Sequence, residues 1–171
     1  MRKSFLLVPV ILGFASVAAA QERTNRDISL GYSYLREGFS NGINAQGGNL
    51  SATGYVNHWL GITGDFGAYH ASPFGVSANT YTFLVGPRFA YRSQDRVMPF
   101  AQVLVGGAHL TAGGFGVSGS TSGFAWSAGG GVDLGITRRL ALRPQFDYIG
   151  VHASGGTLNS GRASVGLVFR F

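Results

Sequence analysis

The last ten residues read RASVGLVFRF, Arg162 to Phe171. Ala163, Val165, Leu167, Phe169 and Phe171 alternate with Arg162, Ser164, Gly166 and Arg170. A repeat of two is the signature of a β-strand with two unlike faces. Soluble domains commonly end in a frayed polar tail, whereas this pattern runs to the final aromatic ring. Whether water or lipid surrounds those rings decides the fold.

The other end of the chain bears on that choice. MRKSFLLVPVILGFASVAAAQ opens with Arg2 and Lys3, continues with an apolar stretch from Phe5 to about Val17, and reaches the small residues Ala18, Ala19 and Ala20. This is the pattern of a secretory signal peptide, expected over residues 1–20, with one domain over 21–171. The apolar run is short for a membrane helix and contains Pro9 and Gly13. No cysteine follows the small residues, which excludes a lipoprotein anchor, and the chain has none for disulfides.

Residues 21–171 keep 11 basic and 7 acidic side chains, a net charge of +4. Those 18 charges in 151 residues are about 12%, where a soluble surface carries roughly 25–35%. Low charge without a long apolar run fits a transmembrane β-barrel, which exposes apolar groups only at every second position. The arginines are dispersed and not interleaved with aromatics, so nucleic acid is not an expected partner despite the pI of 10.2.

Eight alternating segments can be read, at about 27–36, 48–57, 59–69, 80–91, 98–110, 122–135, 139–149 and 159–171. The fourth sets Tyr81, Phe83, Val85, Phe89 and Tyr91 against Thr82 and Arg88. The sixth sets Phe124, Trp126, Ala128, Val132 and Leu134 against Ser127, Gly129, Gly131 and Asp133. Pro87 and Pro144 lie on apolar faces, where a lost ladder bond predicts local bulges. Three connections are short (NHW, RSQDRV, ITR) and four are long (EGFSNGINAQG, HASPFGVSAN, TAGGFGVSGST, GVHASGGTLN). Outer-membrane barrels alternate short periplasmic turns with long outer loops. An even strand number then puts both ends of the barrel on the short-turn side.

Alternation alone does not say which face is the lumen, since a soluble lipid-binding barrel also alternates. Side-chain size does. The polar face is mostly Gly, Ser, Thr and Ala, which suits the narrow interior of eight strands. The bulky rings suit a lipid-facing wall. They also fall into two bands: Tyr32, Tyr34, Phe66, Tyr81, Phe83, Phe124, Trp126, Phe146 and Tyr148 toward the long loops, and Phe89, Tyr91, Phe169 and Phe171 toward the short turns. Trp59 joins the second band, although its parity points inward. Two aromatic girdles around a band of Val, Leu and Ala match a bilayer section.

Charges in such a lumen need partners. Adjacent strands offer Asp65 with Arg88, Asp133 with Arg143, and Asp147 with Arg162, each pair nearly symmetric about its connecting loop. With Gln102 and Gln145 these form the expected lumen network.

The signal peptide, the eight strands, the motif QFDYIGVHASGGTLNSGRASVGLVFRF (145–171) and the terminal phenylalanine together resemble the OmpA-like outer-membrane β-barrel domain family. The resemblance spans nearly all of 21–171. It implies an eight-stranded antiparallel up-and-down barrel in the outer membrane of a Gram-negative-type bacterium. It also implies insertion by the outer-membrane assembly machinery, with the terminal aromatic and preceding alternate residues as the recognition signal. Those positions are Phe171, Phe169, Leu167 and Val165. No peptidoglycan-binding domain follows the eighth strand, so a cell-wall anchoring role is not expected.

Other chemistry finds little support. GFGVSG (114–119) matches G-x-G-x-x-G, but neither a following helix nor a βαβ unit surrounds it, as a dinucleotide site requires. His152 and Ser154 form H-x-S, similar to the base and nucleophile of lipid A deacylases, which need an acid to orient them; of the acids in the long-loop half, Glu37, Asp65 and Asp147, the last two are assigned to the lumen. The histidines, His58, His70, His109 and His152, lie on separate segments, so no metal site is expected. The leading expectation is a non-enzymatic surface scaffold without a cofactor, whose partners are outer-membrane lipids, the assembly machinery and a surface ligand held by the loops. A narrow channel is the second reading, a soluble periplasmic lipid-binding barrel the third.

Overall fold

The computed structural model describes residues 26–37, 43–71, 77–92, 96–114, 117–153 and 156–171. The expected signal peptide lies outside the described residues. Eight strands follow one another: β1 Arg26–Glu37, β2 Ile43–Tyr55, β3 Leu60–Ala71, β4 Ser77–Ala90, β5 Val97–Gly114, β6 Val117–Gly135, β7 Leu140–Ala153 and β8 Gly156–Arg170. Each pairs antiparallel with its sequence neighbour, and β8 closes on β1 from Asp27↔Arg170 to Glu37↔Ser160. Closure leaves no exposed sheet edge through the body of the wall, as lipid demands.

The register fixes the tilt. Stepping across paired residues from Leu30 leads through Leu50, Phe66, Phe83, Gly107, Phe124 and His152 to Thr157. Yet Leu30 itself pairs with Leu167, ten residues further along β8. A stagger of ten over eight strands corresponds to a strand tilt of about 40–45°.

Two short turns use the same side-chain device. Asn57 Oδ1 accepts hydrogen bonds from the backbone N–H groups of Trp59 and Leu60 at 3.0 and 2.8 Å. Thr137 Oγ1 does the same for Arg139 and Leu140 at 3.3 and 3.0 Å. A short polar side chain that bonds its own downstream backbone replaces a wider loop.

The eight strands correspond one to one with the eight alternating segments, with two corrections. The long connections are shorter than expected, because pairing continues through residues 43–47, 77–79, 111–114, 117–121, 150–153 and 156–158. Backbone pairing persists there while the apolar alternation fades, since beyond the lipid both faces meet polar surroundings. GFGVSG accordingly straddles the β5–β6 hairpin. The prolines also cause no bulge. Ladder pairs are missing opposite Pro87 on the β5 side and near Pro144 on the β6 side, but the register is identical on either side of each gap. The lost N–H is tolerated without an inserted residue.

The rings point outward. Tyr32, Phe83, Phe124, Phe146 and Phe169 are exposed on the wall, and Leu30 is 63% exposed. Neighbouring rings meet across strands: Phe66 and Phe83 at 4.8 Å, Trp126 and Tyr148 at 5.6 Å. Trp59 sits in the 56–59 turn and stacks on Phe89 at 5.9 Å, so the turn frees it from the inward parity of the strand. Gly150 provides a seat for Trp126, since a Cβ there would lie 2.5 Å from the indole Nε1.

Candidate functional site

Inside the barrel, the side chains of Asp65, Arg88, Gln102, Asp133, Arg143, Gln145, Asp147 and Arg162 are all buried. They divide into two groups. Nearer the short turns, Arg143 holds Asp133 with two prongs, Nε to Oδ1 at 2.6 Å and Nη2 to Oδ2 at 2.8 Å. Its Nη2 also donates to Asp27 Oδ1 and its Nη1 to Ser29 Oγ, both at 3.3 Å. Arg88 and Arg143 both stack over Phe100, at 4.4 and 4.9 Å from its centroid.

Deeper in, Arg162 joins Asp147, through Nε at 3.0 Å and Nη2 at 2.8 Å, to Asp65, through Nη1 at 2.6 Å. The same Nη1 donates to the Tyr69 hydroxyl at 3.0 Å. Gln145 donates to Asp147 at 2.7 Å. Gln102 links the two groups: its Oε1 accepts from Arg88, and its Nε2 donates to Asp147 at 3.1 Å. Gly129 makes room, because a Cβ there would lie 2.6 Å from the Asp147 Cα.

The pairings Asp133 with Arg143 and Asp147 with Arg162 occur as the hairpin symmetry suggests. Asp65 with Arg88 does not. Asp65 turns across the lumen to Arg162 on β8, while Arg88 bonds Gln102 and lies 3.7 Å from Asp27. Hairpin adjacency predicts partners only along the wall, and a narrow interior lets long arginines reach across it.

Two members were missed. Asp27 shares inward parity with Ser29 and Ser33, which would have placed it. Arg170 lies on the polar face read from the sequence, and its Nη2 comes within 3.6 Å of Asp133. The described lumen therefore holds four aspartates and four arginines, so the interior is electrically balanced.

The half of the lumen nearer the long loops is different. Leu35, Leu84, Leu104, Ile149 and Val151 pack there with Ala71, Ala108 and Ala125, all buried. Tyr69 belongs to both regions: its ring packs in this cluster and its hydroxyl meets Arg162. These apolar residues share parity with Thr82, Gln102 and Asp147, so the signal was present but hidden behind the polar character of that face. At the short-turn mouth, a cavity of about 10 Å³ lies among Asp27, Tyr55, Phe100, Asp133 and Arg170. It has room for about one water molecule.

His152 stands on the outer wall, with Nδ1 2.6 Å from Thr157 Oγ1, and Ser154 lies outside the described residues. Among the described residues, no three ligating side chains gather as a metal would require.

A family model described as outer membrane protein beta-barrel domain matches residues 5–171. This chain belongs to that family. It is an outer-membrane β-barrel of the OmpA-like type, located in the outer membrane of Gram-negative bacteria. Among solved structures, this barrel is similar to Neisserial surface protein A, with 16% identity over 86% of this chain and 97% of that one, and a TM-score of 0.75. It is also similar to Ail of Yersinia pestis, at 20% identity, 85% and 97% coverage and a TM-score of 0.63. The N-terminal β-barrel domain of Pseudomonas aeruginosa OprF gives 15% identity, 86% and 98% coverage and a TM-score of 0.55. These likenesses bear on the fold. No curated protein sequence matches the chain.

Proposed function

We propose that this outer-membrane barrel is a closed, non-enzymatic scaffold that holds its loop end at the cell surface. The observation that carries this reading is the two-part filling of the lumen. A channel needs a continuous wet path, whereas here an apolar cluster occupies one half and paired charges the other. Dry apolar constrictions oppose ion passage. The outer wall offers His152 bonded to Thr157, without a described acid beside it, which supports no hydrolytic role. Loop contact with a surface ligand and insertion by the assembly machinery complete the proposal. For the latter, Val165, Leu167, Phe169 and Phe171 stand exposed on the outer wall of β8 and just beyond it. The Phe171 N–H bonds the Arg26 carbonyl at 3.0 Å, at the seam where the barrel closes.

Planar-bilayer recording tests the closed lumen. The purified barrel is expected to give no conductance steps, and reproducible steps from the wild-type protein would overturn the reading. For the assembly signal, Phe171→Ala is expected to slow insertion in cells while leaving the unfolding midpoint of the purified barrel nearly unchanged. Normal insertion kinetics would refute that role.

A further inference from the structure

The net charge of the chain sits at one end of the barrel. Side chains in 21–171 sum to +4. The described lumen contributes nothing, because its four aspartates are matched by four arginines. At the loop end Arg36 is followed by Glu37, and ahead of β1 Glu22 is followed by Arg23, so each pair cancels. The rest belongs to the short-turn end: Arg26, Arg92, Arg96, Arg138 and Arg139, against Asp95 in the β4–β5 connection, outside the described residues. Those six side chains carry the whole +4.

Backbone bonds set four of these arginines on one arc of the rim. The Gly135 N–H donates to the Arg96 carbonyl at 2.8 Å, the Arg170 N–H to the Arg139 carbonyl at 2.9 Å, and the Phe171 N–H to the Arg26 carbonyl at 3.0 Å. The arc therefore runs from the start of β5, across the β6–β7 turn and the end of β8, to the start of β1. At about 4.8 Å between neighbouring strands it covers roughly 19 Å. Arg26, Arg96, Arg138 and Arg139 are all exposed. Arg92 stands apart, just past β4, with its guanidinium 4.4 Å from the centroid of the Tyr55 ring. The third turn, Val56 to Trp59, holds no arginine. Apolar groups border the arc on the wall: Val97, Leu134, Phe169, Ile136 and Phe171 are exposed, the last two to 60% and 65%. Aromatic rings in such a belt mark the boundary between acyl chains and headgroups. Arginines just beyond it reach the level of the phosphates while their stems lie along apolar surface.

We infer that this arc binds the phosphates of anionic phospholipids, such as phosphatidylglycerol, in the leaflet at the short-turn end, and selects them over zwitterionic phospholipids. All four cations are arginines, whose planar fork of donors matches the oxygens of a phosphate. A zwitterionic headgroup brings its own ammonium, which a surplus of positive charge repels. Phosphatidylglycerol brings the negative phosphate alone. The aspartates of the described lumen are buried, so they do not neutralise the rim from outside. The loop end, where Arg36 and Glu37 balance, offers no such surplus. The apolar border favours a lipid over free phosphate or an acidic peptide, since neither of those has acyl chains to lie along Ile136 and Phe171. This inference holds whether or not the lumen conducts.

The test titrates the folded barrel in detergent micelles with phosphatidylglycerol or phosphatidylethanolamine and measures bound lipid by native mass spectrometry. Each arginine near an anionic headgroup is worth about fivefold in affinity, so phosphatidylglycerol should bind about tenfold tighter or more. In R26Q/R96Q/R138Q/R139Q the preference should fall to about twofold or less, whereas R36Q, at the loop end, should keep it. If the quadruple variant does not fold, R138Q/R139Q, confined to an exposed turn, should lose about fivefold of the preference. Equal affinity of the wild type for the two lipids would overturn the inference. So would a preference kept in full by the folded arginine variants, or one lost in R36Q. Displacement of the lipid by millimolar inorganic phosphate, or by a short polyglutamate peptide, would point to a soluble anion or an acidic protein instead and would also overturn it. Failure of both to compete supports the headgroup.

Discussion

The two halves of the lumen fill the same narrow cylinder by different physics. Toward the short turns, guanidinium and carboxylate groups interlock around Phe100 and Gln102. Toward the loops, Leu84, Leu104 and Ile149 form an apolar cluster with Leu35 and Val151, with Leu84 bordering Asp65 in the ladder. The apolar half is stabilised by contact and tolerates imperfect shapes, because losing a methyl group costs only packing. The ionic half allows no such partial loss, since one missing partner strands a buried charge. The contrast teaches that the two halves fill the lumen by different means, and that only the ionic half specifies, through its ion pairs, which strand faces which across it.

The largest expected effect breaks the ionic half. Arg162→Met leaves Asp65 and Asp147 buried without their cation and should destabilise the barrel by about 3–5 kcal/mol. Leu104→Ala, in the apolar half, should cost about 2–4 kcal/mol. Urea unfolding in detergent, followed by the fluorescence of Trp59 and Trp126, measures both. A larger loss at Leu104 than at Arg162 would reverse the assignment of roles.

A smaller effect sharpens the pattern within the ionic half. In double-mutant cycles, Asp65→Asn should couple to Arg162→Met by about 1–3 kcal/mol, and to Arg88→Met by about 0.5 kcal/mol or less. Equal coupling would restore the pairing along the hairpin that the sequence suggested. The geometry predicts otherwise, because Arg162 Nη1 lies 2.6 Å from Asp65 and Arg88 turns to Gln102 and Asp27.

Much of this architecture is legible in the order of the residues. Strand parity alone put Arg88, Asp133, Arg143 and Asp147 on one face and the aromatic rings on the other. It also gave two of the three pairings, because residues symmetric about a tight hairpin are opposite each other in the ladder. What escaped was of two kinds. The loop-side extensions of β5 and β6 escaped because Gly, Ser and Thr on both faces erase the alternation while the backbone still pairs. The apolar cluster escaped because Leu84 and Leu104 sit between polar residues and glycines on the lumen faces of their own strands, and join Ile149 and Val151 only when separate strands bring them together.

The sequence by itself determined a β-barrel with rings outside and charges inside, because alternation is a local property of each strand and side-chain size says which face has room. Closure of β8 on β1, the stagger of ten and the reach of Arg162 to Asp65 were decided only by the tertiary structure. These depend on how far each strand slides past the next, and a single strand carries no record of that displacement.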